Sequence, residues 1–371
     1  MCLGWVPSNA EISFNQKCFK KKEEWDPKLS QFQCVLPVTI VVGGWGIDTE
    51  NGLSNMLSLD FGLIGFQDAN LELISPNNIW TDLKSVEVFS PSGRCNRKLQ
   101  PLPHPARNPL LELVDGSLVA CGGSVGDEEQ KEPGRLCWQY CAGNDSWVHT
   151  TDLKHRRRYS SSTSVGGTMF VTGGYIPEEG RMSSTEVWRK RNGWKEGTEI
   201  NPGRDGHCSV SLGRAGFIVS GGWMAESLVQ MYDLRSKTWT NLSSMPGEAE
   251  RAYHGCAMLN QTHMIIAGGK GTADKRHLSS SWIFDIPLGL WSRAGDMNFK
   301  RDEAALTNIG GGGISVGGYD DEEYWLKIEQ FDPALNTWEV LETEMKVKRQ
   351  THAVANVPSA WFDYFYDGCR I

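Results

Sequence analysis

Several features are missing from this chain, and each absence narrows what it can be. Its 371 residues contain no apolar run of about 18 residues, so no membrane span is expected. Positive charge is not in excess: 37 Lys and Arg against 45 Asp and Glu leave a net charge of −8. That balance excludes a general nucleic-acid binder, which needs a basic face to displace counterions. The first 25 residues, including Lys20-Lys21-Lys22-Glu23-Glu24, lack the continuous apolar stretch of a secretory signal. A cytoplasmic location is therefore the default expectation and an extracellular one the alternative. No H-E-x-x-H, G-x-S-x-G or P-loop motif occurs, and no segment shows convincing helical periodicity. Neither a catalytic residue nor a cofactor is expected.

What the chain has in abundance is glycine, 41 residues of it, and tryptophan, 15 residues. Six Gly-Gly doublets each close a short apolar run: Gly43-Gly44, Gly122-Gly123, Gly173-Gly174, Gly221-Gly222, Gly268-Gly269 and Gly317-Gly318. After the first, the second glycines recur in steps of 51, 48, 47 and 49 residues. A period near 50 identifies an array of one repeated unit, which overrides the two-domain default for this length. An aromatic residue and, seven positions later, a tryptophan share the period at Tyr140/Trp147, Tyr232/Trp239, Phe284/Trp291 and Phe331/Trp338, with Trp188/Trp194 one residue shorter. An arginine follows at Arg158, Arg204, Arg251, Arg301 and Arg349, and Arg107 opens the second unit. Between these landmarks lie short β-branched segments punctuated by turn residues, which read as four strands per unit. Gly166-Gly167 and Gly310 to Gly313 fall where a hairpin turn belongs and lack the Lys-Ser/Thr of a phosphate-binding loop.

A four-stranded sheet has two faces to bury. Stacking such sheets face to face around an axis buries both, with the tryptophan filling the gap between neighbours; an aromatic of that size covers roughly 150–250 Å². Glycine at the strand end lets neighbouring main chain approach where any side chain would clash.

The doublet, the Tyr/Phe-Asp pairs Tyr232-Asp233, Phe284-Asp285 and Phe331-Asp332, and the spaced tryptophan resemble the kelch repeat over residues 37–357. The resemblance implies an all-β, six-bladed β-propeller. Chain order implies how it closes. The sequence enters at Pro37-Val38-Thr39-Ile40, in a doublet-ending strand, and leaves through Arg349-Gln350-Thr351-His352-Ala353-Val354, an arginine-led strand with no doublet after it. The C-terminal strand should therefore complete blade 1, leaving no exposed edge. Blade 1 departs from the pattern: Asn96 stands in place of its tryptophan, and an excursion over 45–82 follows its doublet. Residues 1–36 form an unassigned N-terminal extension, too short for the dimerising cullin-adaptor region that often precedes intracellular kelch repeats, and 358–371 form an aromatic C-terminal tail.

Function is expected in what the array displays. The six arginines, Arg107, Arg158, Arg204, Arg251, Arg301 and Arg349, should reach one end of the ring. There they either form a positive collar for carboxylates or phosphates of a partner or bond loop carbonyls of their own blades. His207, His254 and His352 lie on strands expected to line the channel but have no ligand partners at metal spacing, so no metal is expected. Cys121 and Cys137 fall on strands that should pair, either as a cross-strand disulfide or as two buried thiols. The leading expectation is a monomeric, non-enzymatic module that binds a protein or peptide through variable loops on one face. The alternatives are the substrate-recognition subunit of a cullin-type ubiquitin ligase with its adaptor in another chain, a secreted disulfide-containing propeller, and an axis-centred kelch-type enzyme.

Overall fold

The computed structural model describes residues 38–42, 44–47, 81–90, 96–125, 132–320 and 322–357. Gly43, the interior of the excursion at 48–80, the extension 1–36 and the tail 358–371 lie outside the described residues. Six antiparallel four-stranded sheets follow the repeat, and no α-helix occurs among the described residues. From axis to rim, blade 2 runs Leu110–Val114, Ser117–Cys121, Cys137–Cys141 and Ser146–His149. Blades 3 to 6 repeat this order from Ser161–Val165, Cys208–Ser211, Gly255–Met258 and Ala305–Ile309. Blade 1 is built from both ends of the chain: Ala353–Val357 pairs with Val38–Val42, from Val42↔Ala353 to Val38↔Val357. Val86–Phe89 and Asn96–Leu99 complete it. The innermost strand Ala353–Val357 touches those of blades 2 and 6, which closes the ring. The fold is thus the six-bladed propeller expected from the sequence, sealed by its last strand.

Each landmark has a physical role. The aromatic and the tryptophan are directly opposed on the third and fourth strands, as Tyr140↔Trp147, Trp188↔Trp194, Tyr232↔Trp239, Phe284↔Trp291 and Phe331↔Trp338. Their ring centroids lie 4.7–6.4 Å apart. Each indole N–H also reaches across to the linker that leaves the preceding blade. Trp147 donates to Gln100 O at 2.9 Å, Trp194 to Thr151 O at 2.9 Å, Trp239 to Thr198 O at 3.1 Å, Trp291 to Ser243 O at 3.2 Å and Trp338 to Gly295 O at 3.1 Å. The tryptophan therefore fills the gap and stitches the outer rims together. In blade 1 Asn96 occupies the register position, opposite Phe89.

Near the axis the stitching is done by backbone. The N–H of the doublet's second glycine donates to the carbonyl of the linker entering the next blade: Gly44 to Ala106 (2.7 Å), Gly174 to Arg204 (2.8 Å), Gly222 to Arg251 (3.1 Å), Gly269 to Arg301 (2.7 Å) and Gly318 to Arg349 (3.0 Å). At Gly173 (φ 58°) an added Cβ would stand 2.5 Å from Arg204 O and 2.8 Å from the His207 ring, so only glycine permits this approach. A second chain of bonds circles the axis two residues after the arginine position. Asn108 N donates to Thr351 O, Thr351 N to Glu303 O, Glu303 N to Tyr253 O, Tyr253 N to Gly206 O and Gly206 N to Tyr159 O, at 2.6–3.1 Å. All six residues are left-handed, with φ between 53° and 64°. Five of them are not glycine, a conformation that persists where surrounding bonds fix it. The out-of-phase pairs Gly166-Gly167 and Gly310-Gly311 close two-residue hairpins with positive φ at both positions, the turn expected of them.

Trp338 is buried and bonds both Gly295 O and Ser281 Oγ across the blade 5–6 gap. Trp338→Ala should therefore cost about 3–5 kcal/mol by urea denaturation with an unchanged m-value, and Trp338→Phe about 1–2 kcal/mol. Equal losses for the two variants would show that the indole N–H contributes nothing to the stitch.

Candidate functional site

The positive collar is not displayed. Arg204, Arg251, Arg301 and Arg349 are all 0% exposed, because each guanidinium folds inward beneath its own blade. Arg301 bonds Glu329 Oε1 (2.9 Å), Gly317 O (2.7 Å) and Lys327 O (2.8 Å). Arg349 pairs with Glu87, and Arg204 with the Gln230 amide oxygen. Arg251 bonds Gly268 O (3.0 Å) together with Ser280 O and Oγ. Burial lowers the pKa of Arg204 to about 10 and that of Arg251 to about 9, which leaves both cationic at neutral pH.

In blade 3 the corresponding residue is Arg157, not Arg158. Arg157 bonds Gly173 O (2.7 Å) and Glu186 Oε1 (2.7 Å) with both side chains fully buried. Ala106 holds the position in blade 2, so Arg107 is likewise one residue out of phase. A signal for this assignment was present in the sequence. The residue two before the periodic aromatic is Glu87, Glu186, Gln230 or Glu329 in the blades whose arginine needs an acceptor from the third strand, but Trp138 in blade 2, where the arginine is absent. In blade 5 that residue is Trp282, and Arg251 uses serine instead.

The three histidines also turn away from the channel. His207 Nε2 meets Thr172 Oγ1 of the preceding blade at 3.0 Å, and His254 Nε2 meets Ser220 Oγ at 3.1 Å. Desolvation holds His254 and His352 near pKa 3 and His207 well below the usual imidazole range, so all three are neutral packing groups. Among the described residues, no cluster of three or more His, Cys, Asp or Glu could hold a metal ion, and no helix is long and apolar enough to cross a membrane.

What the loop face does display is set by positions outside the landmark pattern. The residue after the arginine position pairs with the residue after the doublet at the same end of the blades: Arg107↔Ser124, Arg158↔Tyr175, Asp205↔Trp223, Ala252↔Lys270, Asp302↔Tyr319 and Gln350↔Trp45. The first member of each pair therefore rings the mouth of the channel, cationic at blades 2 and 3 and acidic at blades 4 and 6. Arg107 is buried and pairs with Asp82 at 2.8 Å. Asp205 takes Arg181 at 2.5 Å, and Asp302 faces His277 at 3.4 Å. Burial raises the pKa of both acids despite these partners.

Arg158 differs from Arg107, the other mouth cation. Its guanidinium carbon lies 5.1 Å from the Tyr175 ring centroid and 5.4 Å from that of Tyr159. No carboxylate pairs with it among the described residues, and its Nε is buried without an acceptor. Tyr159 meets Tyr253 at 5.4 Å across Gly206, and Trp223 stands edge-on to Tyr253 at 6.1 Å. These aromatics are half-buried. Desolvation, reinforced by Glu303, raises Tyr159 to about 12, so its hydroxyl stays a neutral donor.

The two kinds of arginine should respond differently to truncation. Arg301→Ala, which strands Glu329 in the interior, is expected to cost about 3–5 kcal/mol in a denaturation series, whereas Arg158→Ala should cost less than about 1 kcal/mol. Similar losses at both positions would contradict their division into a scaffold group and a display group.

Residues 160–362 match the KLHDC2/KLHL20/DRC7 Kelch-repeats domain family. Curated relatives include Kelch-like protein 35 of Mus musculus, 28% identical over 128 residues (33% of this chain and 21% of that protein). An F-box/kelch-repeat protein of Arabidopsis thaliana is 31% identical over 138 residues (35% and 38%), and Kelch-like protein 36 of Rattus norvegicus is 23% identical over 236 residues (60% and 38%). The chain thus spans between 21% and 38% of the length of these relatives. Among solved structures, that of YjhT superposes with a TM-score of 0.61 at 14% identity, over 70% of this chain and 91% of that one, a likeness of fold. With its repeat landmarks, its six-bladed ring and a family match over more than half its length, the chain belongs to the kelch-repeat family.

Proposed function

We propose that the chain is a non-catalytic binding propeller that takes a protein or peptide partner at the mouth of its channel, with a carboxylate of the partner seated on Arg158. The observation that supports this reading is Arg158 itself, a half-buried cation walled by Tyr159 and Tyr175 that makes no ion pair among the described residues, Asp205 acting on it only through its field. A planar guanidinium between aromatic walls is preorganised for a bidentate carboxylate, and the rings supply area at low entropic cost. Trp223 and Tyr253 extend the apolar floor toward the acidic side of the mouth. A random peptide library panned against the chain should return acidic peptides whose affinity falls about tenfold or more with Arg158→Ala. Peptides that bind equally well to Arg158→Ala and Tyr253→Ala variants would sink the reading.

A second reading concerns the compartment, and the cysteines favour it. Cys121 and Cys137 are directly opposed and bridged, with Cα atoms 4.1 Å apart. Cys208 and Cys256 bridge the innermost strands of blades 4 and 5, and Cys141 is also disulfide-bonded. All described cysteines are thus paired. Such bridges persist in oxidising compartments, which supports a secreted propeller over a subunit of a cytosolic cullin-type ligase. Non-reducing peptide mapping should recover the Cys121–Cys137 and Cys208–Cys256 pairs; free thiols at these four positions would overturn this assignment.

A further inference from the structure

Three Asn-x-Ser/Thr triplets occur in the chain: Asn144-Asp145-Ser146, Asn241-Leu242-Ser243 and Asn260-Gln261-Thr262. The pattern is the acceptor signature for N-linked glycosylation, but it is short enough to arise by chance and ranks none of the three. The fold treats them differently.

Asn260 lies in the turn between Gly255–Met258 and His263–Ala267, the first two strands of blade 5. Asn260, Gln261 and Thr262 are all exposed. Asn260 Oδ1 accepts from the backbone N–H groups of Thr262 (2.9 Å) and His263 (3.0 Å) and from the Thr262 hydroxyl (3.0 Å). The result is an Asx turn that includes the hydroxyl the triplet requires. Two of the donors are backbone N–H groups, so the amide oxygen must face them and Nδ2 is left free. His263 Nδ1 lies 2.9 Å from Thr262 Oγ1, and its Nε2 lies 3.5 Å from Asp285 Oδ2, which keeps the hydroxyl in place. Backbone bonds from Leu259 N to His263 O and from Ile286 N to Thr262 O, both 2.9 Å, anchor the turn.

The other two asparagines are less well set. Asn144 is exposed in the turn between the third and fourth strands of blade 2. Ser146 Oγ donates to its Oδ1 at 2.9 Å, but no backbone N–H closes a turn on it among the described residues. Asn241 ends the fourth strand of blade 4, paired with Gln230. Its Oδ1 accepts from Gln230 Nε2 at 2.9 Å, and the same Gln230 holds the buried Arg204. Its amide therefore belongs to the scaffold.

We propose, on the secreted reading of the chain, that Asn260 is an acceptor for an N-linked glycan, with Asn144 a poorer acceptor and Asn241 none. The sugar donor is a polyprenyl-diphosphate oligosaccharide. Nδ2 attacks its anomeric carbon, and the new N–C bond replaces the C–O bond to the diphosphate. The diphosphate leaves with the bonding electrons, and the amide nitrogen gives up one proton. Three donors on Oδ1 stabilise the negative charge that this proton leaves behind, which is what the turn supplies. The turn is local, so it can form before the ring closes. Turns between first and second and between third and fourth strands lie at the end of the blades away from the mouth. A glycan at Asn260 therefore leaves Arg158 uncovered, a bulky polar group on the face opposite the binding site.

The test uses the full chain, led into the secretory lumen by a cleavable leader and collected from insect-cell medium. Its peptides are mapped with and without peptide:N-glycosidase, which turns each glycan-bearing asparagine into aspartate. Asn260 should carry glycan in most molecules, Asn144 in fewer and Asn241 in almost none. Asn260→Gln and Thr262→Ala should each remove the glycan from this turn, and Thr262→Ser should keep it. Non-reducing mapping of the same sample separates the site from the compartment. Bridged Cys121–Cys137 and Cys208–Cys256 beside a bare Asn260 would refute the site and leave the secreted reading standing. Free thiols beside a glycosylated Asn260 would refute the secreted reading and leave the acceptor site standing. Equal occupancy at Asn260 and Asn241 would also refute the proposal, because the triplet without the turn would then suffice.

Discussion

Everything in this molecule depends on how closely the main chains of adjacent blades approach near the axis. A glycine N–H of one blade donates to the linker carbonyl of the next at 2.7–3.1 Å, and the linker then turns through a left-handed residue to continue the inner ring of bonds. The first contact requires the absence of a Cβ, as the 2.5, 2.6 and 2.7 Å approaches at Gly173, Gly221 and Gly317 show. The second tolerates Asn, Tyr, Glu and Thr because bonds on both sides hold the backbone in place. Wedges fixed in this way at five of the six junctions need only a filler at the rim, and the opposed aromatic and tryptophan supply it in blades 2 to 6.

The buried arginines are a consequence of the same geometry. Turning a linker sharply inward leaves strand-end carbonyls, such as Gly317 O and Lys327 O, without ladder partners, and a guanidinium presents several donors in a fixed fork to satisfy them. A fully buried cation then needs an anion or further acceptors, which Glu87, Glu186 and Glu329 provide, with Gln230 and Ser280 as neutral substitutes. Blade 2 lacks both halves of the arrangement, Ala106 standing with Trp138. Its inner seam is the one without backbone bonds.

The repeat made blade number, closure, strand count and the aromatic–tryptophan pairing legible in the sequence, because each rests on a residue type that almost nothing else can replace. The arginines were legible as a period but not in register at two positions. Arg156-Arg157-Arg158 offers three candidates, and only the acid at Glu186 distinguishes them. The same acids showed that the collar is structural, and they appear once the residue two before each aromatic is compared across units. The display positions Tyr159, Tyr175, Trp223 and Tyr253 could not be found by periodicity, since they are the places where the repeat imposes no side chain. Their importance comes from convergence at the axis, and only the closed ring brings Tyr159 and Tyr253, from linkers two blades apart, into contact.

The mouth positions are free to vary because their backbone alone serves the scaffold, and the order in which they vary has a consequence. Gln350, Arg107, Arg158, Asp205, Ala252 and Asp302 follow one another around the axis, so cations adjoin only at the step from blade 2 to blade 3. Arg107 is neutralised by Asp82, whereas Arg158 is left to its aromatic neighbours. That step is also the seam where both backbone bonds are missing and where the half-buried Glu112 accepts from Ser162 Oγ of blade 3. A carboxylate seated on Arg158 would add anionic charge at the top of this junction. The partner would therefore act on the interface that the scaffold fastens least.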